Sequence, residues 1–261
     1  MRKVYDCFTF FNELHLLELR LNELDSVVDK FVIVEGERTW QNKDKELYFE
    51  KNKHIFNNFA DKIIHIVVPA AESQNSSWDN ELHAFNCIVR GLNNAADNDI
   101  IMISAVDEIP KPARIRELYQ SLDTGVHFLQ QLYYLYLNTK FGESSTDWPG
   151  TYACPWKLLK TQSSIYDAAI RSRNKIAFVA DGGWHFSYTG GPEFIFSKLQ
   201  SFAHTEWVHM TIQDIQKRFD TLSDPIERSS GMKFQGYDAL ENMPLTVQNN
   251  THRYSQYLIN I

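Results

Sequence analysis

Three short apolar runs constrain this chain more than any other feature. Residues 30–35 (KFVIVE), 62–68 (KIIHIVV) and 99–104 (DIIMIS) are nearly continuous in Val, Ile and Phe. Runs of that length and composition read as strands buried on both faces, the mark of a parallel sheet. Val4–Phe10, rich in aromatic and β-favouring residues, adds a strand before them. Helix-like segments lie between the runs. Asn12 can cap a helix carrying Leu14, Leu17, Leu21 and Leu24 at spacings of three and four. Residues 52–59 form a short helix candidate. Residues 78–96 place Leu82, Phe85, Val89 and Leu92 on one helical face. Strand alternating with helix predicts an α/β fold with a doubly wound, mostly parallel sheet. In such sheets ligands sit beyond the carboxyl ends of the strands, where Glu35 and the segment after Ser104 fall.

The rest of the chain is less regular. Residues 112–121 read as a helix with proline near its start, and 126–137 as a long strand or hairpin arm. Residues 143–151 read as a loop. Residues 175–180 and 184–188 are strand candidates around Gly182-Gly183, and 192–204 and 212–222 are helices. No repeat, low-complexity tract or linker breaks the 261 residues, so one domain is expected. With 43% apolar and 23% charged residues the chain can bury a sizeable core. A net charge of −7 disfavours binding to nucleic acid or anionic membrane through charge alone. No apolar stretch reaches the roughly 18 residues a membrane span needs. Polar Asn12, Glu13 and His15 interrupt any signal-like core after the basic start. Cys7, Cys87 and Cys154 are odd in number and scattered, which suggests reduced thiols in a cytosolic setting.

The sharpest local feature is residues 104–110, SAVDEIP. Asp107 and Glu108 follow a buried strand, where carboxylates can hold a hard cation such as Mg²⁺ or Mn²⁺. They can equally cap the helix after Pro112 or pair with Lys111. Glu35 ends an apolar strand, and Arg38 and Thr39 follow on its loop. Arg171 and Arg173 lie in a basic run, and a guanidinium fork suits a diphosphate; a solvated loop is the other reading. Lys198 has the same use. His185 follows Gly182-Gly183-Trp184, where glycines admit close approach and a neutral imidazole can complete a metal site. His204 and Glu206 form a further ligand pair or a helix-end pair. Trp148 and Trp184 can offer flat faces to a sugar, while most of the 13% aromatic residues belong to the core. Asn75-Ser76-Ser77 and Asn249-Asn250-Thr251 match a short, common glycosylation pattern that a cytosolic chain would not use.

Four segments, in order, resemble the family-17 glycosyltransferases, which include the bisecting N-acetylglucosaminyltransferase III enzymes and many bacterial relatives. They are YDCFTFFNELHLLELRLNELDSVVDKFVIVE, VDEIP, AIRSR and GGWHFSYTGGPEFIFSKL, spread over roughly residues 3–205. The resemblance implies a GT-A type fold with a Rossmann-like, doubly wound central sheet. It implies one domain over 1–261, with a donor-binding half at about 1–110 and an acceptor-binding half at about 111–261. The implied reaction is inverting transfer of a sugar, GlcNAc from UDP-GlcNAc in characterised members, to a hydroxyl of a glycan acceptor. Mn²⁺ or Mg²⁺ would be held by Asp107 with His185. Donor contacts fall on Glu35, Arg38, Ala105, Val106, Asp107, Arg171, Arg173 and Lys198; acceptor contacts fall on Trp148 and Trp184. Asp107, Glu108 and Glu193 carry the chemistry, with Glu193 as first choice of base and Asp147, Asp181 and Glu108 as rivals.

Two positions depart from the resemblance. Family members usually carry Asp two positions before Asp107, and this chain has Ala105. The chain is then a natural inactive relative, or works with Asp107, Glu108 and His185 alone, or carries a deliberate replacement. Relatives often show Gln-Arg-Asn where this chain has Ala84-Phe85-Asn86, so an arginine contact to the donor is missing there. The rival functions are a sugar nucleotidyltransferase and a non-catalytic glycan or nucleotide-sugar binder. Expected partners are a UDP-sugar and a glycan, without nucleic acid or a transmembrane segment, and with peripheral membrane association left open. The expected setting is cytoplasmic, in a bacterial or viral source.

Overall fold

The computed structural model describes residues 1–141, 147–226 and 234–259. The strands are β1 Val4–Phe10, β2 Lys30–Gly36, β3 Ile63–Val68, β4 Ile100–Ala105, β5 Glu108–Pro110, β6 Val126–Tyr134, β7 Thr139–Phe141, β8 Asp147–Pro155, β9 Ala177–Ser187 and β10 Phe234–Tyr237. The main helices are α1 Leu14–Leu24, α2 Tyr48–Asn52, α3 Ser77–Asn86, α4 Pro112–Leu118, α5 Trp156–Leu159, α6 Ile165–Ala169, α7 Pro192–Leu199 and α8 Ile212–Asp220.

The sheet runs β10-β7-β6-β8-β4-β1-β2-β3. Its β4-β1-β2-β3 part is wholly parallel, the doubly wound plan expected from the apolar runs. Alternate residues of those runs serve two cores. Phe8, Phe31, Ile33 and Met102 pack against Leu16, Leu17, Leu21 and Leu24 of α1. Cys7, Val32, Val34, Ile101 and Ile103 pack against Phe85, Ile88 and residues of α6. Each fully buried Val, Leu, Ile or Phe contributes about 1.5–3 kcal/mol, which is why neither face of these strands carries the usual polar alternation. All three cysteines are buried free thiols.

Beyond β4 the sheet changes hand. β8 joins β4 antiparallel, and β6 joins β8 antiparallel. β9 lies parallel to β6 and also pairs antiparallel with the three-residue β5. That last pairing sets Glu108 opposite His185.

Several local expectations change. Asn12 does not cap α1; Glu13 occupies the cap, and its carboxylate accepts the N–H groups of Phe11 and Asn12 instead. The helix expected over 78–96 ends at Asn86 and continues as a 3₁₀ turn, Cys87–Gly91. Asn86 turns its carboxamide to the start of α6, accepting from Ser164 and Tyr166. Gly91 lies against Val32, where a Cβ would meet Val32 Cγ1 at 2.4 Å. Residues 147–151 of the expected loop are strand β8, because long-range pairing with β6 overrides local turn signals; 142–146 lie outside the described residues. The strand expected over 126–137 stops at Tyr134, ahead of Leu135 at φ 67°. The two strand candidates around Gly182-Gly183 are one strand. Gly183 sits in it at φ 138°, with Ile109 O only 2.2 Å from where a Cβ would stand.

Candidate active site

A cleft of about 330 Å³ opens beyond the carboxyl ends of β1–β4. Phe10 and Phe11 line it after β1, Gly36, Thr39 and Trp40 after β2, and Val68 and Pro69 after β3. Ala105, Val106, Asp107 and Glu108 line it after β4, opposite His185 of β9 and Lys198 of α7. Rigid strands therefore aim the loops, as the strand-end rule requires.

The acidic turn is fully engaged. Lys198 Nζ donates to Asp107 Oδ2 at 2.9 Å and stands 3.2 Å from Glu13 Oε1. Burial alone would lower the Lys198 pKa, but Asp107 and Glu13 push it well above its ordinary value. Burial alone would raise that of Asp107, but the Lys198 ammonium, by its charge and its hydrogen bond, holds it below the usual carboxylate range. Glu108 Oε1 accepts Trp148 Nε1–H at 2.6 Å and an Arg173 N–H at 2.5 Å, while its Oε2 accepts the Ala105 N–H at 3.1 Å. The Arg173 guanidinium also lies 4.9 Å above the Trp148 ring. Glu108 thus spends both oxygens on protein groups, which leaves it positioning Trp148 and Arg173 rather than abstracting a proton.

The donor set suits a divalent cation. Asp107 Oδ1 lies 3.8 Å from His185 Nε2. Burial keeps the His185 imidazole neutral against the pull of Asp107 and Glu108, and its buried Nδ1 has no hydrogen-bond partner. Ala105 adds no oxygen. One carboxylate and one imidazole would be an open donor pair for Mn²⁺ or Mg²⁺. Among the described residues the one three-ligand group is Glu72, His83 and Cys87. There Arg90 already meets Glu72 at 2.6 Å, so that carboxylate has its cation.

The other expected residues divide sharply. Arg173, Lys198, Trp148, Ala105 and Val106 line the cleft, as does exposed Arg38, whose Nε lies 3.3 Å from Asp44. Glu35 does not. It points into the α1-side core, where Lys45, His65 and the Phe49 N–H take its carboxylate, because odd-numbered residues of β2 face that side. Arg171 is exposed, pairs with Asp167 at 2.7 Å and stands outside the cleft lining. Trp184 is 5% exposed within the core, its indole N–H donating to Asn242 O, so it has no face for a sugar. Glu193 is exposed on the first turn of α7, outside the lining. Asp181 is held outside by Lys111 and Arg114. Asp147 is exposed at the start of β8. His204 and Glu206 bond each other, and the His204 ring packs on Trp78, Phe202 and Trp207.

Sequence reasoning misses two acids that line the cleft, Glu13 and Glu81, and one arginine buried behind it, Arg20. Glu81 sits in the cleft with its pKa pushed up to about 7 by burial, against the Tyr166 hydroxyl at 3.3 Å and the Arg173 charge. Arg20 is fully buried and bonds the acidic turn from within the core.

The family model described as Glycosyltransferase family 17 matches residues 1–223. The chain belongs to glycosyltransferase family 17. It is a glycosyltransferase, with a sugar donor and an acceptor, and the nucleotidyltransferase rival is set aside. No curated protein matches the chain. Among solved structures it is similar to a 4-diphosphocytidyl-2C-methyl-D-erythritol synthase at 12% identity and TM-score 0.42, over 70% of this chain and 89% of that one. It is also similar to the S. aureus TarS fragment 1–349 at 11% identity and TM-score 0.40, over 84% of this chain and 71% of that one. Neither likeness adds weight to the family match. Among the described residues of this glycosyltransferase, no helix is long and apolar enough to cross a membrane.

Proposed function

We propose that this family-17 glycosyltransferase moves a sugar, GlcNAc from UDP-GlcNAc, onto a hydroxyl of a glycan with inversion at the anomeric carbon. The observation that carries the reading is one cleft holding an apolar, aromatic end beside a charged end. Phe11, Trp40, Val68 and Pro69 offer the first, suited to a nucleobase. Asp107, His185, Lys198 and Arg173 offer the second, suited to a diphosphate.

The chain's own groups account for most of the chemistry. Lys198 and Arg173 are fixed cations facing the place where charge grows as UDP departs, and such preorganised charge acts strongly in a partly desolvated cleft. Mn²⁺ or Mg²⁺, held by Asp107 and His185, supplies further positive charge to the diphosphate when bound. The base must take the acceptor's proton. Of the acids lining the cleft, Glu13 is spent on two backbone N–H groups and Lys198, and Glu72 on His83 and Arg90. Asp107 and Glu108 are spent as described. Glu81, with its pKa near neutrality, fills the base's role in this reading in place of Glu193. Trp148 is the acceptor platform that Trp184 cannot be.

Ala105 favours one second reading, a relative that binds the nucleotide sugar without turning it over. Incubation with UDP-GlcNAc, Mn²⁺ and a mixed glycan acceptor, followed by measurement of released UDP, separates the two. UDP release with a glycosylated product supports the transferase. Tight UDP-GlcNAc binding without release supports the binder.

A further inference from the structure

We infer that Arg20 is the positioning residue of the acidic turn, acting through three main-chain carbonyls, and that Asp6 exists to orient it. The inference rests on reading residues 104–108 as the catalytic turn.

Arg20 lies in the middle of α1, and its side chain is fully buried under β1. Nε and one terminal nitrogen hold Asp6 at 2.7 and 2.6 Å, a bidentate pair. That second nitrogen also donates to Ser104 Oγ at 2.7 Å. The remaining terminal nitrogen lies 3.0 Å from Ala105 O, 3.2 Å from Val106 O and 2.9 Å from Glu108 O. The guanidinium stacks over Phe8 at 4.4 Å, which fixes its plane.

The turn needs this donor. Between β4 and β5 the chain leaves one ladder and enters another, and carbonyls 105, 106 and 108 meet the buried guanidinium there. Buried carbonyls require donors. A planar fork on a long side chain turns one nitrogen, with its two N–H groups shared among carbonyls 105, 106 and 108, toward the turn while its other edge grips a carboxylate. Lysine offers a single point. With carbonyls 105, 106 and 108 tied, the backbone that directs Asp107 and Glu108 is tied as well. Simple stability does not explain the arrangement, because a well-packed apolar pair commonly replaces a buried ion pair without loss. What an apolar pair cannot do is hold the carbonyls.

The experiment follows from that contrast. The double variant Asp6→Leu/Arg20→Met removes both charges at similar volume. Its melting temperature should fall by several degrees, because carbonyls 105, 106 and 108 and Ser104 Oγ lose their donor even though no charge is left unpaired. Backbone amide exchange across 104–109, measured without substrate, should rise at least tenfold, with exchange in β1 and β2 unchanged. UDP release should fall about 100-fold in kcat with little change in donor KM, the cost of misplacing a reacting group by about an ångström. Arg20→Lys, which keeps the charge, covers the case in which the double variant does not fold. It should show the same rise in exchange and a smaller loss in kcat. Unchanged exchange over 104–109 in a folded variant overturns the inference, whatever the activity. A parent protein that releases no UDP overturns the transferase reading alone, since the exchange measurement still decides the clamp.

Discussion

The two walls of the cleft are built by different means and carry opposite charges. The near wall, from β1 to β5 with α1 and α3, supplies the acids Glu13, Glu81, Asp107 and Glu108. The far wall, from β8, the segment between α6 and β9, β9 and α7, supplies the groups that meet them: Trp148 and Arg173 on Glu108, His185 beside Asp107, and Lys198 between Asp107 and Glu13. Each acid of the turn is thus paired across the gap rather than within its own wall. If the donor is the nucleotide sugar proposed above, the chain at −7 needs no basic surface to accept its diphosphate. It needs a few far-wall cations already aimed at the turn, able to exchange a carboxylate for a phosphate oxygen.

Breaking the near wall should cost most. Asp107→Asn removes the one carboxylate that meets both Lys198 and His185, and UDP release should fall about 10³-fold. Removal of divalent metal by EDTA should affect the parent far more than this variant. Breaking the far wall comes next. Lys198→Met should lower kcat about 100-fold and also lower the melting temperature, because it strands two buried carboxylates. A variant that loses stability but keeps kcat would show that Lys198 only neutralises the empty cleft.

Glu81 sharpens the comparison, since it is the near-wall acid without a far-wall ion pair among its bonds. A base with a pKa of about 7 gives a kcat/KM that rises with pH up to that value and then levels. Glu81→Gln should remove that limb and most of the turnover. Stability gives an independent sign. The folded pKa lies above the ordinary carboxyl value of 4.5, so the folded state holds the extra proton between about 4.5 and about 7. Glu81 therefore subtracts stability as pH rises through that window, and Glu81→Gln should flatten the slope there.

The near wall's strands were legible, but its acids Glu13 and Glu81 were not, whereas the far-wall groups Trp148, Arg173, His185 and Lys198 were all named from residue type and resemblance. Continuous apolar runs declare buried parallel strands, and the acids after Ser104 sit where strand ends must open, so Asp107 needed no tertiary knowledge. Glu35 failed because the rule locates a strand end but not which face an individual side chain takes. Arg20 was invisible because helical spacing marks it as one more polar position, and only the packing of α1 under β4–β5 turns it inward. The far wall depends on pairings such as Glu108 with His185 and β8 between β4 and β6, which local pattern cannot encode. Hence Trp184 and Trp148 looked alike in sequence. Their variants should not. Trp184→Ala should cost about 3–5 kcal/mol of stability and leave acceptor KM alone. Trp148→Ala should raise acceptor KM several-fold more than donor KM, with a smaller loss of stability.

The smallest expected effect is a gain, and it tests whether the near wall is complete. Ala105 lines the cleft beside the turn, and its N–H already serves Glu108. Ala105→Asp adds a third acid next to Asp107 and Glu108, so without metal the melting temperature should fall slightly through like-charge repulsion. Lys198 and Arg173 limit that cost, since both stand within reach of the turn. With Mn²⁺ the new carboxylate offers an oxygen to the cation or to a donor hydroxyl, and metal affinity and turnover should each rise several-fold. Metal should then stabilise the variant more than the parent, a difference that thermal melts with and without Mn²⁺ read directly. If affinity and turnover both stay at the parent level, the far-wall cations already supply what a carboxylate at position 105 would help a metal to supply, and the methyl group costs this enzyme nothing.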